Sequence, residues 1–178
     1  MHRRSSRQVR GFTLIEILVT LVVTAVGLLG LAGFVVRAST LGSDTVQRAR
    51  AVILLNDMAS RIGNDKAAAA TGNFVKAQVY GASVQACGAL NGADRQLCEW
   101  NNLLAGANDG GSGAAFLGYR GCVTRHENGD PLLFVVTVTW GSLSRGTPPA
   151  DQCGTGVFGD ESLRRVLRTQ VRVATLKA

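Results

Sequence analysis

A single acidic residue interrupts the longest apolar stretch of the chain. Glu16 is the only charged side chain between Phe12 and Val36. Placing a carboxylate at the centre of a membrane-spanning helix costs about 2.5–3.5 kcal/mol on insertion scales. A segment that served only as a lipid anchor would have no reason to keep such a residue. We therefore expect Glu16 to bind a positively charged group once the helix is in place.

The stretch after Glu16 has the length of a membrane span. Ile17 to Val36 contains twenty residues without a charge, and a helix of this length extends about 30 Å, the thickness of a hydrocarbon core. The leader, residues 1–11, contains four arginines and no acidic residue. The positive-inside rule therefore predicts a cytoplasmic N-terminus and residues 37–178 on the other side. A secretory signal peptide fits less well, because its apolar region runs only about 7–15 residues.

Three glycines recur within the apolar stretch, at Gly27, Gly30 and Gly33. In membranes, small residues allow helices to approach closely, so these positions are candidates for helix packing. Glycine is also generally common in membrane helices. Both interpretations stay open at the level of the sequence.

The residues around the acidic position resemble the class III signal of type IV pilins and of type II secretion pseudopilins. The matching run is Gly11-Phe12-Thr13-Leu14-Ile15-Glu16, after a short basic leader. The resemblance implies that a prepilin peptidase cuts after Gly11 and that the new amine of Phe12 is methylated. It also implies that Glu16 pairs with such an amine during subunit assembly. Residues 1–11 would be the cleaved leader, and residues 12–36 would stay as the transmembrane and fibre-core half of the first helix.

Two segments are similar to the PilV-type minor pilins, also described as type IV pilus modification proteins. They are residues 21–33, and residues 95–104 followed by Gly110-Gly111-Ser112-Gly113. The resemblance implies a minor pilin that takes part in type IV pilus assembly, in a priming or tip complex. Its partners would be the prepilin peptidase, other major and minor pilins, and the bacterial inner membrane, before transfer to the fibre. A minor pseudopilin and an adhesive or DNA-binding tip subunit are the alternatives.

Four cysteines all lie beyond the apolar run: Cys87, Cys98, Cys122 and Cys153. Their even number, without C-x-x-C or Cys/His zinc spacing, indicates two disulfides in an oxidising compartment. Three pairings are possible, and the shortest loops favour Cys87–Cys98 and Cys122–Cys153. Four reduced thiols packed in a core are the alternative. No metal site and no cofactor are predicted.

Beyond the apolar run, the spacing predicts an α+β fold in which a long N-terminal helix packs on a small antiparallel β-sheet. The helix should run from Phe12 to about Ile62, with residues 37–64 as its amphipathic half. The buried stripe of this half should follow three- and four-residue steps through Leu41, Thr45, Ala49, Val52, Leu55, Ala59 and Ile62. Residues 65–178 should form a periplasmic globular domain. Its expected elements are a loop over 65–93, a helix from an N-cap at Asp94 to about Ala105, and strands over 116–124, 132–140 and 167–173.

Neither an enzyme nor a nucleic-acid-binding protein is predicted. The run Gly154 to Gly159 matches a dinucleotide-binding pattern, but no strand precedes it and no helix follows it. The formal charge of +7 falls to +3 without the leader, because 15 basic residues then face 12 acidic ones. Three arginines of the last strand, Arg164, Arg168 and Arg172, share one face. We interpret this face as solvated, and DNA binding is disfavoured.

Overall fold

The computed structural model describes residues 11–107, 118–127 and 130–174, apart from the side chains of residues 40 and 41. The leader residues 1–10, the Gly110–Gly113 segment and the first two positions of the strand predicted over 116–124 lie outside these ranges. Contacts divide the chain after Gly42 into two units. We describe each unit by itself.

Helix α1 comprises Leu14–Asn64, so it begins and ends within two residues of the predicted limits. In the first unit, all of its described side chains are exposed. In the second unit, one face is buried at three- and four-residue steps, through Ala51, Leu54, Leu55, Met58 and Ile62. The predicted stripe is right for Leu55 and Ile62, which are buried, and wrong for Thr45, Ala49 and Val52, which are exposed. Ala59 is half-buried, and the side chain of Leu41 lies outside the described residues.

Two short helices follow α1. Helix α2 (Lys66–Ala70) lies in the segment that was predicted to be a loop, and the Asp65 carboxylate caps it by accepting a hydrogen bond from Ala68 N at 3.1 Å. Helix α3 (Gly92–Leu104) starts two residues before the predicted N-cap, which is therefore wrong. Asn91 occupies the cap position, and Asp94 lies in the first turn, where the helix dipole also favours a carboxylate.

The sheet contains β1 (Arg120–Arg125), β2 (Leu133–Gly141) and β3 (Arg164–Arg172), in the order β1-β2-β3 and antiparallel throughout. One face of the sheet belongs to the core, where Val123, Phe134, Val136 and Val138 are fully buried together with Trp100 of α3. The predicted α+β layout of a long helix and a small antiparallel sheet is confirmed.

Both predicted disulfides are present. Cys87–Cys98 joins the segment before α3 to α3 itself. Cys122–Cys153 joins β1 to the segment between β2 and β3. Since no described cysteine is free, the alternative of four reduced thiols is wrong.

Candidate processing and assembly segment

The predicted cleavage site lies directly before the first turn of α1. Residues 11–13 are not helical, and the carbonyl of Thr13 accepts hydrogen bonds from the N–H groups of Glu16 at 3.1 Å and Ile17 at 3.3 Å. Glu16 is therefore in the first helical turn, where the positive end of the helix dipole stabilises a carboxylate. Gly11, Phe12 and Glu16 are all exposed, which is the accessibility that a peptidase and a methylating enzyme require.

Glu16 makes no ion pair within the part of the chain that the structure describes. The two threonine hydroxyls nearby are satisfied by the helix backbone. The Thr20 hydroxyl donates to Ile17 O at 2.8 Å, and the Thr24 hydroxyl donates to Thr20 O at the same distance. Glu16 is the one charged side chain between residues 12 and 36, so in an apolar environment its carboxylate would need an external partner.

The apolar surface of this segment is large and uncovered. Its side chains are 52–84% exposed where they are large and hydrophobic, from Phe12 to Val36. Soluble monomers rarely expose contiguous apolar patches above a few hundred Å². Judged by length and composition, α1 is the one helix among the described residues that could cross a membrane. It therefore fits an anchor in the inner membrane.

No contact with any residue that the structure describes explains the three glycines. A Cβ atom added at Gly27, Gly30 or Gly33 would meet no other atom within 4 Å. Both interpretations of these glycines therefore stay open, namely close approach of another helix and the general frequency of glycine in membrane helices. The helical steps also place Glu16, Thr20, Thr24 and Gly27 on one face, at intervals of four, four and three residues. The sequence interpretation treated the acid and the glycines separately and missed this shared face.

The interpretation of the arginines in β3 needs a correction. Arg164 is only 2% exposed, so the prediction of a solvated face is wrong for this residue. Its guanidinium donates to the carbonyls of Asp151 at 2.8 Å, Cys153 at 3.0 Å and Pro149 at 3.1 Å, and it pairs with Glu161. These bonds offset the cost of burying the charge. Arg168 and Arg172 are exposed, as expected.

The comparisons with known proteins bear on the N-terminal segment alone. Residues 6–32 match the family model for the prokaryotic N-terminal methylation motif. Comparison with curated proteins and with solved structures found no match. The motif supports a type IV pilin-like or pseudopilin precursor, and hence a structural subunit rather than an enzyme. It implies processing by a prepilin peptidase and assembly with other pilins.

Proposed function

We propose that this chain is the precursor of a PilV-type minor pilin that takes part in type IV pilus assembly, in a priming or tip complex. The observation that carries the proposal is the exposed apolar first half of α1, which has one carboxylate in its first turn and lies within the match to the methylation motif, directly after the predicted cleavage site. Residues 1–11 are the leader, residues 12–36 span the inner membrane and later pack in the fibre, and residues 65–178 form the periplasmic domain.

Maturation creates the partner that Glu16 lacks. Cleavage after Gly11 removes the four leader arginines and leaves a cationic amine on Phe12, and methylation keeps that charge. The carboxylate of Glu16 then pairs with the amine of its own or of a neighbouring subunit. An unpaired charge in a low-dielectric bundle costs several kcal/mol, so the pair acts mainly by rejecting subunits that dock out of register.

The glycines serve the same assembly. Gly27, Gly30 and Gly33 let a neighbouring helix approach closely, because no side chain stands between the two backbones. The open space around each of these positions supports this role, since no residue in the described part of the chain occupies it. Gly30→Leu should reduce incorporation into fibres without changing cleavage of the leader.

Mass analysis of the N-terminus of native protein tests the maturation step. We expect the mature chain to begin with a methylated Phe12. A chain that begins with Met1 would overturn the proposal, because the leader arginines would then stay at the end of the apolar helix.

The assembly step is tested by Glu16→Ala. We expect the amount of this variant recovered in sheared fibres to fall at least tenfold, which corresponds to about 1.4 kcal/mol or more of docking free energy. Cleavage after Gly11 should continue. Leu18→Ala is the matched control, because it truncates a neighbouring exposed side chain without removing a charge. Equal incorporation of Glu16→Ala and the native chain would contradict the proposed role of Glu16.

A minor pseudopilin of a type II secretion system is the second candidate, because the methylation motif supports either class. Deleting the gene separates the two functions. Loss of twitching motility with normal protein export supports the pilus, and loss of export with normal pili supports the secretion system.

A further inference from the structure

Strand β3 forms one edge of the sheet. One residue beyond its end, Val173 N donates to Leu132 O at 3.0 Å. Hydrogen-bonded pairs alternate along an antiparallel ladder, so with the observed register the odd-numbered residues of β3 face β2. The N–H and C=O groups of the even-numbered residues therefore point away from the sheet. In the exposed half of the strand these are Val166, Arg168, Gln170 and Arg172.

The two edges of the sheet differ in what covers them. At the β1 edge, Tyr80 and Gly121 exchange both backbone hydrogen bonds, at 2.8 and 3.1 Å. At the β3 edge, no strand or isolated bridge is formed by any residue that the structure describes. The pairing of β3 with β2 is continuous, without a bulge that would twist the edge away. The β3 edge thus offers a straight row of backbone donors and acceptors.

Two of the four residues along this edge, Arg168 and Arg172, are cationic. Arg168 makes no ion pair among the described residues, and Arg172 is 76% exposed beside Asp130 at 3.4 Å. Arg168 and Gln170 also line a groove of about 710 Å³ on the outer face of the sheet. The groove extends over β1 and β2 and is also lined by two acidic residues, Glu127 and Asp151. An acidic side chain on a strand added beside β3 would therefore lie at the border of the groove, next to the guanidinium of Arg168.

The same charges argue against pairing between two copies of this chain. When two β3 edges are placed antiparallel, Arg168 of one copy falls opposite or diagonal to Arg168 or Arg172 of the other. Like charges directly opposite each other destabilise a sheet. Two β3 edges therefore repel each other, whereas a strand that carries acidic side chains is attracted.

The inner face of the sheet determines which side chains are favoured at the other alternate positions of an added strand. Leu167 and Val171 are half-buried and pack against the core of the domain. An added strand would place every other side chain beside these two residues, where an apolar group is favoured. Successive side chains of a strand point to opposite faces of the sheet.

We propose that the β3 edge binds an extended segment of another protein in which acidic and apolar residues alternate, by adding it to the sheet as a fourth strand. The acidic residues face Arg168 and Arg172, and the apolar residues continue the core beside Leu167 and Val171. This proposal does not depend on the proposed pilus function, since binding of a peptide to the β3 edge can be measured on the isolated chain.

Fluorescence anisotropy with the full chain in detergent micelles tests the proposal. The probe is a labelled peptide of about eight residues in which glutamate and valine alternate. We expect it to bind at least about tenfold more tightly than the same peptide with lysine in place of glutamate. Equal binding of the two peptides would overturn the proposal.

Backbone methylation of the peptide separates strand pairing from simple charge attraction. N-methyl groups on one alternate set of residues should abolish binding, and those on the other set should be tolerated, because only one set faces β3. Equal binding of both methylated peptides means that no strand is added. Displacement of the peptide by duplex DNA at equal phosphate and carboxylate concentration would show a general anion surface, which also overturns the proposal.

Two variants of the chain complete the test. Arg168→Glu combined with Arg172→Glu should reverse the preference from the glutamate to the lysine peptide, a change that misfolding cannot produce. Gln170→Pro removes an outward N–H while leaving the bonds to β2 intact, and it should weaken binding at least about tenfold. If Gln170→Pro instead abolishes self-association of the chain, the occupant is a second copy and the proposal is wrong.

Discussion

The two halves of α1 share one backbone but differ completely in their surroundings. Residues 14–39 are exposed on every side, although nearly all of them are apolar. In the second half, Ala51, Met58 and Ile62 are fully buried, and the opposite face is polar or exposed. A helix that is apolar all round belongs in lipid or in a protein core, whereas a helix with one apolar stripe belongs on the surface of a domain. The two patterns distinguish a segment of membrane-spanning character from a segment that packs on a domain, within one helix.

The two halves of α1 also differ in their polar contacts. In the second half, the Trp100 indole N–H donates to Leu54 O at 2.8 Å, and the Tyr119 hydroxyl donates to Gln47 O at 3.1 Å. Between residues 12 and 36, Thr20 and Thr24 donate side-chain hydrogen bonds to the backbone of their own helix. The second half is therefore held by its own domain, and the first half depends on what the membrane or a fibre supplies.

The largest expected effect comes from making the same truncation in both halves. Ile62→Ala removes a fully buried side chain and should lower the free energy of unfolding by about 2–5 kcal/mol. Ile17→Ala removes a side chain that is 52% exposed and should change it by less than about 0.5 kcal/mol. Denaturant unfolding followed by tryptophan fluorescence measures both, because the two tryptophans lie in the second unit. A large effect of Ile17→Ala would show that the halves are not energetically separate.

The contrast between the halves was largely predictable, because it rests on local patterns. The run of apolar residues, the single acid and the cleavage glycine are adjacent in sequence, and the limits of α1 follow from its periodicity. The buried face was harder to assign, because partners such as Trp100 lie 46 residues from their contacts on α1. Val52 was assigned to the buried face because it is apolar, although its side chain points away from the domain.

The burial of Arg164 could not be predicted for a similar reason. Its three carbonyl partners lie 11 to 15 residues before it, in a segment without regular secondary structure. A charged residue at the start of a strand pattern indicates solvent when the sequence is considered alone. The free edge of β3 was equally hidden, because strand order depends on long-range pairing.

A smaller effect is expected from the contact between α3 and α1. Trp100→Phe removes the hydrogen bond to Leu54 O and part of a fully buried side chain, so it should cost about 1–3 kcal/mol of unfolding free energy. Phe34→Leu in the exposed half is the matched control and should leave the unfolding midpoint unchanged. Trp140 still reports unfolding in both variants. A cost near zero for Trp100→Phe would mean that α3 contributes little to holding the second half of α1.

The smallest effect concerns a carboxylate that, unlike Glu16, has partners within the chain. Hydrogen bonds from Arg61 of α1 at 2.9 Å and from Arg95 at 3.0 Å lower the pKa of Glu99 below its usual value of 4.5. Since the folded pKa is lowered, the stabilisation is present above pH 4.5 and is lost as the pH falls through the folded pKa. The carboxylate is 40% exposed, so the loss should stay below about 1 kcal/mol.

Melting temperatures measured at neutral and acid pH test this contribution. Glu99→Gln should have a lower melting temperature than the native chain at neutral pH, and this difference should disappear at acid pH. The control is Glu127→Gln, on the exposed turn after β1, which should melt at the same temperature as the native chain at both pH values. A gap that persists in acid would assign the effect to packing of α3 instead of charge. Glu16→Gln should leave the melting temperature unchanged at either pH, because its carboxylate has no partner until another group approaches it. The two glutamates would then separate a charge that stabilises the domain from a charge available for assembly.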